Sequence, residues 1–119
     1  MPATAERIDF ISHLARNAID QGGQHSVLTV NFRVFRRGPA HVAGLTYTSD
    51  FWKTPMEALA KFQHFDGDSE VWQAIAVVGK IDVTFEYIIF CRDHRDIQNV
   101  KNVFHTNFGN TFQIAATSF

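Results

Sequence analysis

Aromatic side chains beside a turn are the residues of this sequence whose types and spacing are most suited to chemistry. Tyr47 ends an alternating run that predicts a half-buried strand, and Phe51 and Trp52 follow the turn residues Ser49 and Asp50. An indole displayed at a strand end offers a flat apolar face, which matches the C–H face of a pyranose ring. Trp52 is therefore expected either to stack on a sugar or to cover the end of a β-core, and the sequence leaves both open.

A second candidate lies near the C-terminus, where Asn107 and Asn110 flank Phe108 and Gly109. Gly109 supplies the positive φ that a tight turn needs, and amide side chains both donate hydrogen bonds to sugar hydroxyls and accept them. Phe108 either joins such a site or folds back onto the core. The residues that the two stretches nominate for carbohydrate binding, by stacking or by hydrogen bonds, are Trp52, Tyr47, Phe51, Lys53, Phe104, Asn107, Phe108 and Asn110.

Catalytic and metal-binding motifs are not found in the sequence. Its 6 histidines form no H-E-x-x-H motif, and its 1 cysteine has no partner for a metal site or a disulfide. No G-x-S-x-G motif and no glycine-rich phosphate loop is found. The carboxylates around Asp66-Gly67-Asp68 lack the ligand spacing of a calcium loop, and Asp-Gly between strands favours a hairpin turn. We therefore expect a protein that is not an enzyme and that uses no cofactor and no metal.

Composition sets limits on the class of partner. The chain has 119 residues with a formal net charge of -1, which favours neither nucleic acid nor an anionic membrane. Its 12 phenylalanines are suited to strands and to a β-core. No apolar run approaches the roughly 20 residues of a membrane helix, and residues 1–20 lack the apolar block of a signal peptide. This pattern predicts a cytoplasmic protein or one secreted by a non-classical route.

The elements that must position these residues are strands, because the apolar pattern has a period of two from Ser26 onwards. Trp72 lies among aliphatic residues and is interpreted as core rather than ligand. The sequence predicts an antiparallel, immunoglobulin-like β-sandwich of seven to eight strands. The predicted strands cover residues 26–35, 41–48, 60–65, 71–78, 81–91, 103–106 and 111–116.

The first twenty residues are predicted to form an amphipathic helix over 4–20, capped by Thr4 and ended by Gly22-Gly23. This divides the chain into a helix and linker, residues 1–23, and a sandwich domain, residues 24–119. The helix is expected either to pack on its own sandwich or to pair with a second copy in a homodimer. The apolar residues that would form the dimerisation face are Ile8, Ile11, Ala15, Ala18 and Ile19.

The stretch Tyr47–Thr54, with Ala60–Phe62 after it, resembles the Y-T-x-D-x-W … A-x-Y pattern of small carbohydrate-binding modules. These are the starch- and glycogen-binding modules of family 21 and the β-1,3-glucan-binding modules of family 56. Val103–Phe112 is similar to their closing motif, Y-W-D-N-N-x-G-x-N-Y, in which Asn107 and Gly109 are kept. The positions that depart from the closing motif are Phe104, His105, Thr106 and Thr111. The resemblance implies a β-sandwich that binds a polysaccharide, either a β-1,3-glucan or an α-glucan, without cutting it.

A second likeness concerns the outline of the chain alone. An amphipathic helix followed by a sandwich, at this length and with a single cysteine, is similar to the small fungal immunomodulatory proteins. That likeness implies a dimer assembled through the N-terminal helix and an action on immune cells. The two interpretations are compatible, since such a dimer can also bind sugar.

Overall fold

The computed structural model describes residues 7–35, 41–93, 104–105 and 112–117, and these residues form nine β-strands with the turns between them. No helix in this part of the chain has the length and hydropathy needed to cross a membrane. The strands are β1 (Arg7–Asp20), β2 (Gly23–Phe35), β3 (His41–Thr48), β4 (Met56–Leu59), β5 (Lys61–Asp66), β6 (Ser69–Val78), β7 (Thr84–Asp93), β8 (Phe104–His105) and β9 (Phe112–Ala115).

The strands form two antiparallel sheets, here named sheet A and sheet B. Sheet A has the order β1-β2-β6-β5, and sheet B has the order β4-β3-β7-β8, with β9 also paired to β7. β8 and β9 contact different parts of β7, because β8 pairs with Phe90 and Cys91 whereas β9 pairs with residues 84–87. The predicted all-β fold with antiparallel sheets is confirmed for the described residues.

One core lies between the two sheets and follows from the alternation in the sequence. Successive side chains of a strand point to opposite faces, so alternate residues of the inner strands face the core and most of them are buried. Each fully buried large apolar side chain stabilises the fold by roughly 1.5–3 kcal/mol. The buried residues of the inner strands are Leu28, Val30, Phe32, Val34, Ala74 and Ala76 in sheet A and Ala43, Leu45, Tyr47, Phe85, Tyr87, Ile89 and Cys91 in sheet B.

The predicted N-terminal helix is wrong over the described residues, because Arg7–Asp20 is a strand that pairs with β2 along its length. The pairing shifts between Phe10 and Ser12, which makes Ile11 the extra residue of a β-bulge. Before the bulge the even positions face the core, and after it the odd positions do. Ile8 and Ala15 therefore share a face at a spacing of seven residues, which looks helical in the sequence. Residues 4–6 of the predicted helix lie outside the described residues.

The five residues of the predicted dimerisation face do not share one face of β1. Ile8 packs against the core and Ala15 belongs to it. Ile11 is 42% exposed at the bulge and Ile19 is 61% exposed near the β1–β2 turn, whereas Ala18 points to the other face of the sheet. These five residues therefore form no continuous apolar stripe on β1, and a homodimer through an apolar helix face is not supported. The boundary proposed at residue 23 falls inside the β1–β2 hairpin.

The chain passes from sheet B to sheet A between β4 and β5. At this corner the backbone N–H of Ala60 donates a hydrogen bond to the carbonyl of Ala43, at 2.8 Å. Gly44 is paired with Leu59, and a Cβ on Gly44 would overlap the carbonyl oxygen of Ala58. The missing side chain therefore lets β4 approach β3 closely at the corner. The strand predicted over 60–65 is β5, Lys61–Asp66, whereas β4 is a further strand that the sequence did not predict.

A second junction joins β1 to Thr117, which follows β9. Arg16 and Thr117 form an isolated parallel bridge, in which the N–H of Asn17 donates to the carbonyl of Thr117 at 3.3 Å. The buried side chain of Asn17 accepts the N–H of Asp82 at 2.9 Å and donates to the Asp82 carboxylate at 2.7 Å. The hydroxyl of Ser26 donates to the Asn17 carbonyl oxygen at 3.1 Å. These bonds hold the loop before β7 against sheet A.

Candidate functional site

The candidate site is the loop that connects β3 to β4, and the buried hydroxyl of Thr48 is at its centre. The Thr48 Oγ1 donates to the carboxylate of Asp50 at 2.6 Å. The same oxygen accepts the backbone N–H of Asp50 at 3.2 Å and that of Trp52 at 3.1 Å. One side chain at the end of a strand thus satisfies two N–H groups that the turn removes from the sheet.

Asp50 continues this network towards solvent. Its Oδ1 accepts the backbone N–H of Thr54 at 3.0 Å in addition to the Thr48 hydroxyl. The pKa of the Asp50 carboxyl is lowered below its usual 3.8. The hydrogen bond from Thr48 is the largest cause, followed by that from the Thr54 N–H, and the nearby charge of Lys53 adds to them. The carboxylate is therefore ionised at neutral pH and closes the loop at both ends.

The aromatic residues between these hydrogen bonds have an unusual backbone. Phe51 has φ 58° and Trp52 has φ 68°, so both lie in the left-handed region. For bulky side chains this region is strained, and such strain persists only where the surroundings hold it. The conformation turns the Phe51 ring outwards, where 76% of the residue is exposed. The loop therefore presents an apolar ring to solvent at a cost in backbone energy.

The predicted site residues of this stretch differ in their accessibility. Phe51 and Lys53 are exposed, and Trp52 is half-buried, so part of its indole remains available to a ligand. Tyr47 is buried with 4% exposed, and its ring lies 6.4 Å from that of Phe85 in the core. Burial raises the pKa of the Tyr47 hydroxyl. The prediction that Tyr47 stacks on a ligand is therefore corrected, because neither face of its ring is free.

The C-terminal candidates lie mostly outside the described residues. Asn107, Phe108 and Asn110 belong to the segment between β8 and β9, which the structure does not describe. Phe104 is in β8, where its backbone pairs with Cys91. These four residues remain predictions from the sequence.

A second group of exposed aromatic residues was missed in the sequence. Phe65 is 71% exposed and Phe62 is 43% exposed on β5, which has one paired neighbour, β6, among the described strands. The two rings meet edge to face at 4.9 Å, and Phe62 contacts Trp72 at 5.8 Å. The half-buried Trp72 donates its indole N–H to Glu70 at 3.1 Å. The feature of the sequence that could have indicated this pair is Phe62-Gln63-His64-Phe65, in which two large apolar residues flank two polar ones.

The described residues contain no cluster of side chains suited to metal binding. No three His, Cys, Asp or Glu side chains among them come together as metal ligands. The thiol of Cys91 is buried in the core. The arrangement found here, exposed rings beside a hydrogen-bonded loop, is suited to binding a ligand by stacking.

No family model and no curated protein matches the sequence. Among solved structures, the chain is similar to the solution structure of the carbohydrate binding module of the muscle glycogen-targeting subunit of Protein Phosphatase-1. The two are 13% identical with a TM-score of 0.49, over 96% of this chain and 76% of that chain. That module is of the class that the motifs around Trp52 resemble.

Proposed function

We propose that this protein binds a polysaccharide without cleaving it and that Phe51 and Trp52 form the surface on which a sugar ring stacks. The observation that carries the proposal is the exposure of Phe51, at 76%, on a loop whose backbone is held by Thr48 and Asp50. Aromatic rings that are displayed in this way gain stabilisation by covering the apolar face of a ligand. A sugar ring has such a face, bordered by hydroxyls that require hydrogen-bonding partners.

The polar groups next to the rings are consistent with a carbohydrate rather than a purely apolar ligand. Lys53 is exposed directly after Trp52 and can donate hydrogen bonds to hydroxyls. The sequence motifs add Asn107 and Asn110 as further amide partners and indicate a glucan, with either β-1,3 or α linkages. Phe62 and Phe65 are a second exposed pair of rings, on β5.

The experiment that tests the proposal is a pull-down with insoluble β-1,3-glucan, starch, cellulose and chitin side by side. We expect the protein to sediment with at least one glucan and to release no reducing ends from it. The variant Phe51→Ala should remain in the supernatant. The matched control is Leu14→Ala, because Leu14 is also an exposed apolar residue, at 60%, but lies on the outer face of sheet A.

Three outcomes would contradict the proposal. A wild-type protein that stays in the supernatant with every polymer does not bind these polysaccharides. Equal loss of binding in Phe51→Ala and Leu14→Ala would mean that the loop is not the site. Reducing ends released by pure protein would identify an enzyme instead.

The alternative of a fungal immunomodulatory-type protein depended on an N-terminal helix. Arg7–Asp20 is a strand of sheet A, so the described residues lack the feature on which that alternative mainly depended. Self-association of the full chain is a separate question that light scattering coupled to size exclusion answers directly.

A further inference from the structure

We infer that Thr48 and Asp50 are positioning residues for the stacking surface and that their hydrogen bonds hold Phe51 and Trp52 in the binding conformation. We name the side-chain pair of Thr48 and Asp50 the Thr48–Asp50 clasp. The inference rests on the proposed function for its affinity measurement. Its claim about the conformation of the loop can be tested without any ligand.

The backbone conformation gives the first reason. Two consecutive aromatic residues with φ 58° and φ 68° do not adopt the left-handed region through their own preferences, since glycine and asparagine are the residues that favour it. Something outside the two residues must therefore hold them. Without that constraint, we expect Phe51 and Trp52 to return to ordinary backbone angles and their rings to point elsewhere.

The position of the constraint gives the second reason. The Thr48 Oγ1 accepts the N–H of Trp52 at 3.1 Å, so the bond acts directly on one of the two strained residues. Thr48 itself is fixed, because it is 1% exposed and pairs with Glu86 in β7. The Asp50 carboxylate orients the Thr48 hydroxyl by accepting its hydrogen bond at 2.6 Å. The clasp thus transmits the rigidity of sheet B to the loop.

A preformed loop should bind more tightly than a mobile one, because it loses less conformational freedom when the ligand binds. The clasp contributes to affinity in this way without contacting the ligand. It follows that residues that do not touch the ligand determine how well the exposed rings bind it.

The test uses fluorotryptophan labelling and ¹⁹F NMR, since the chain has 2 tryptophans and the variant Trp52→Phe assigns their signals. Thr48→Val keeps the shape of the side chain and removes the hydroxyl, and Asp50→Ala removes the carboxylate from the loop. We expect both changes to broaden or shift the Trp52 signal and to leave that of Trp72 unchanged. Thr48→Ser and Asp50→Asn retain an oxygen at each position and should restore the wild-type signal.

Affinity for the polysaccharide that binds best in the pull-down is measured on the same variants. We expect Thr48→Val to weaken binding by about tenfold, which corresponds to 1.4 kcal/mol. Thr48→Ser should bind nearly as well as wild type. An unchanged Trp52 signal in both Thr48→Val and Asp50→Ala would overturn the inference, as would a changed signal with unchanged affinity. If Thr48→Val does not fold, the Trp52 signal and the affinity of Asp50→Ala alone decide whether the inference holds.

The failure of the inference and that of the proposed function are distinguishable. If the Trp52 signal responds to loss of the clasp but wild-type protein binds no polysaccharide, the clasp stands and the proposed function fails. If wild type binds and the clasp variants match it in both measurements, the proposed function stands and the inference fails.

Discussion

The imidazole Nδ1 of His13 lies 2.6 Å from the phenolic oxygen of Tyr87, and this hydrogen bond joins the two sheets. His13 is in β1 of sheet A, and Tyr87 is in β7 of sheet B. The ring of Tyr87 stacks on Phe112 at 5.2 Å, and Phe112 stacks on Phe10 at 5.1 Å. Strands β1, β7 and β9 thus meet around one buried phenol.

Tyr87→Phe should destabilise the protein by about 1 kcal/mol, because it removes one hydrogen bond and keeps the ring that stacks on Phe112. Urea unfolding of wild type and variant measures the difference. A double-mutant cycle with His13→Phe isolates the pairwise energy. Equal unfolding free energies for wild type and Tyr87→Phe would show that the bond contributes nothing.

Stability should depend on pH through His13. Burial lowers the pKa of this imidazole below its usual 6.5, so the folded state favours the neutral form. The unfolded state then binds more protons below pH 6.5, and this part of the stability is present above pH 6.5 and lost as the pH falls through the lowered pKa. The free energy of unfolding should decrease across that interval. The decrease should be smaller in His13→Phe, and identical pH profiles would contradict the assignment.

Gly44→Ala should destabilise the protein by ~1–3 kcal/mol, the usual cost of forcing an atom into a packed region. The added methyl would meet the carbonyl oxygen of Ala58 at the corner where β4 leaves sheet B. The matched control is Gly79→Ala, because a methyl added there would meet no atom within 4 Å beyond its chain neighbours. Thermal unfolding should place Gly79→Ala close to wild type. A Gly44→Ala protein with the wild-type melting temperature would show that the corner tolerates a side chain.

Removal of residues 1–23 should prevent the rest of the chain from folding. The deletion removes β1, an edge strand of sheet A that carries the core residue Ala15 and the buried Asn17. Loss of Asn17 also removes the hydrogen bonds that hold Asp82. Circular dichroism and the dispersion of an amide NMR spectrum measure the outcome. A well-dispersed spectrum from residues 24–119 would mean that β1 is dispensable.

Phe51→Ala and Trp52→Ala should both weaken glucan binding by ~1–3 kcal/mol, the range for a well-used aromatic contact. Their effects on stability should differ. The exposed Phe51 should change the free energy of unfolding by less than ~0.5 kcal/mol. Trp52→Ala should lower the free energy of unfolding by more than Phe51→Ala does, because Trp52 is half-buried. The loss should be smaller than the ~3–5 kcal/mol for removing a core aromatic side chain. A loss of stability in the core range would show that Trp52 is structural.

The inner strands could be predicted because their pattern is regular. The strand predicted over 41–48 is β3, His41–Thr48, and the inward positions of β7 from Phe85 to Cys91 are all buried as expected. β1 could not be identified, because the extra residue at Ile11 changes which positions face the core. A bulge of one residue converts a period of two into spacings that also fit a helix.

The site was only partly predictable for a different reason. The sequence pointed to the loop and to Trp52, whereas the most exposed ring is that of Phe51. Its exposure follows from the positive φ angles of Phe51 and Trp52, which aromatic residues disfavour. The hydrogen bond from the Trp52 N–H to the Thr48 hydroxyl helps to hold these angles. Propensity rules describe what a residue prefers, so they cannot show where neighbouring hydrogen bonds override that preference. Tyr47 was assigned to the site because it lies near the end of β3, and the sequence does not show that its ring points into the core.

The bridge between Arg16 and Thr117 has a consequence for the order of folding, because its two ends are far apart in the sequence. Closing so long a loop costs conformational entropy before the contact is gained. The β1–β2 hairpin joins neighbouring residues and can therefore form first, whereas the bridge forms late. Until the bridge has formed, the edge of β1 that faces Thr117 stays open to pairing with other chains.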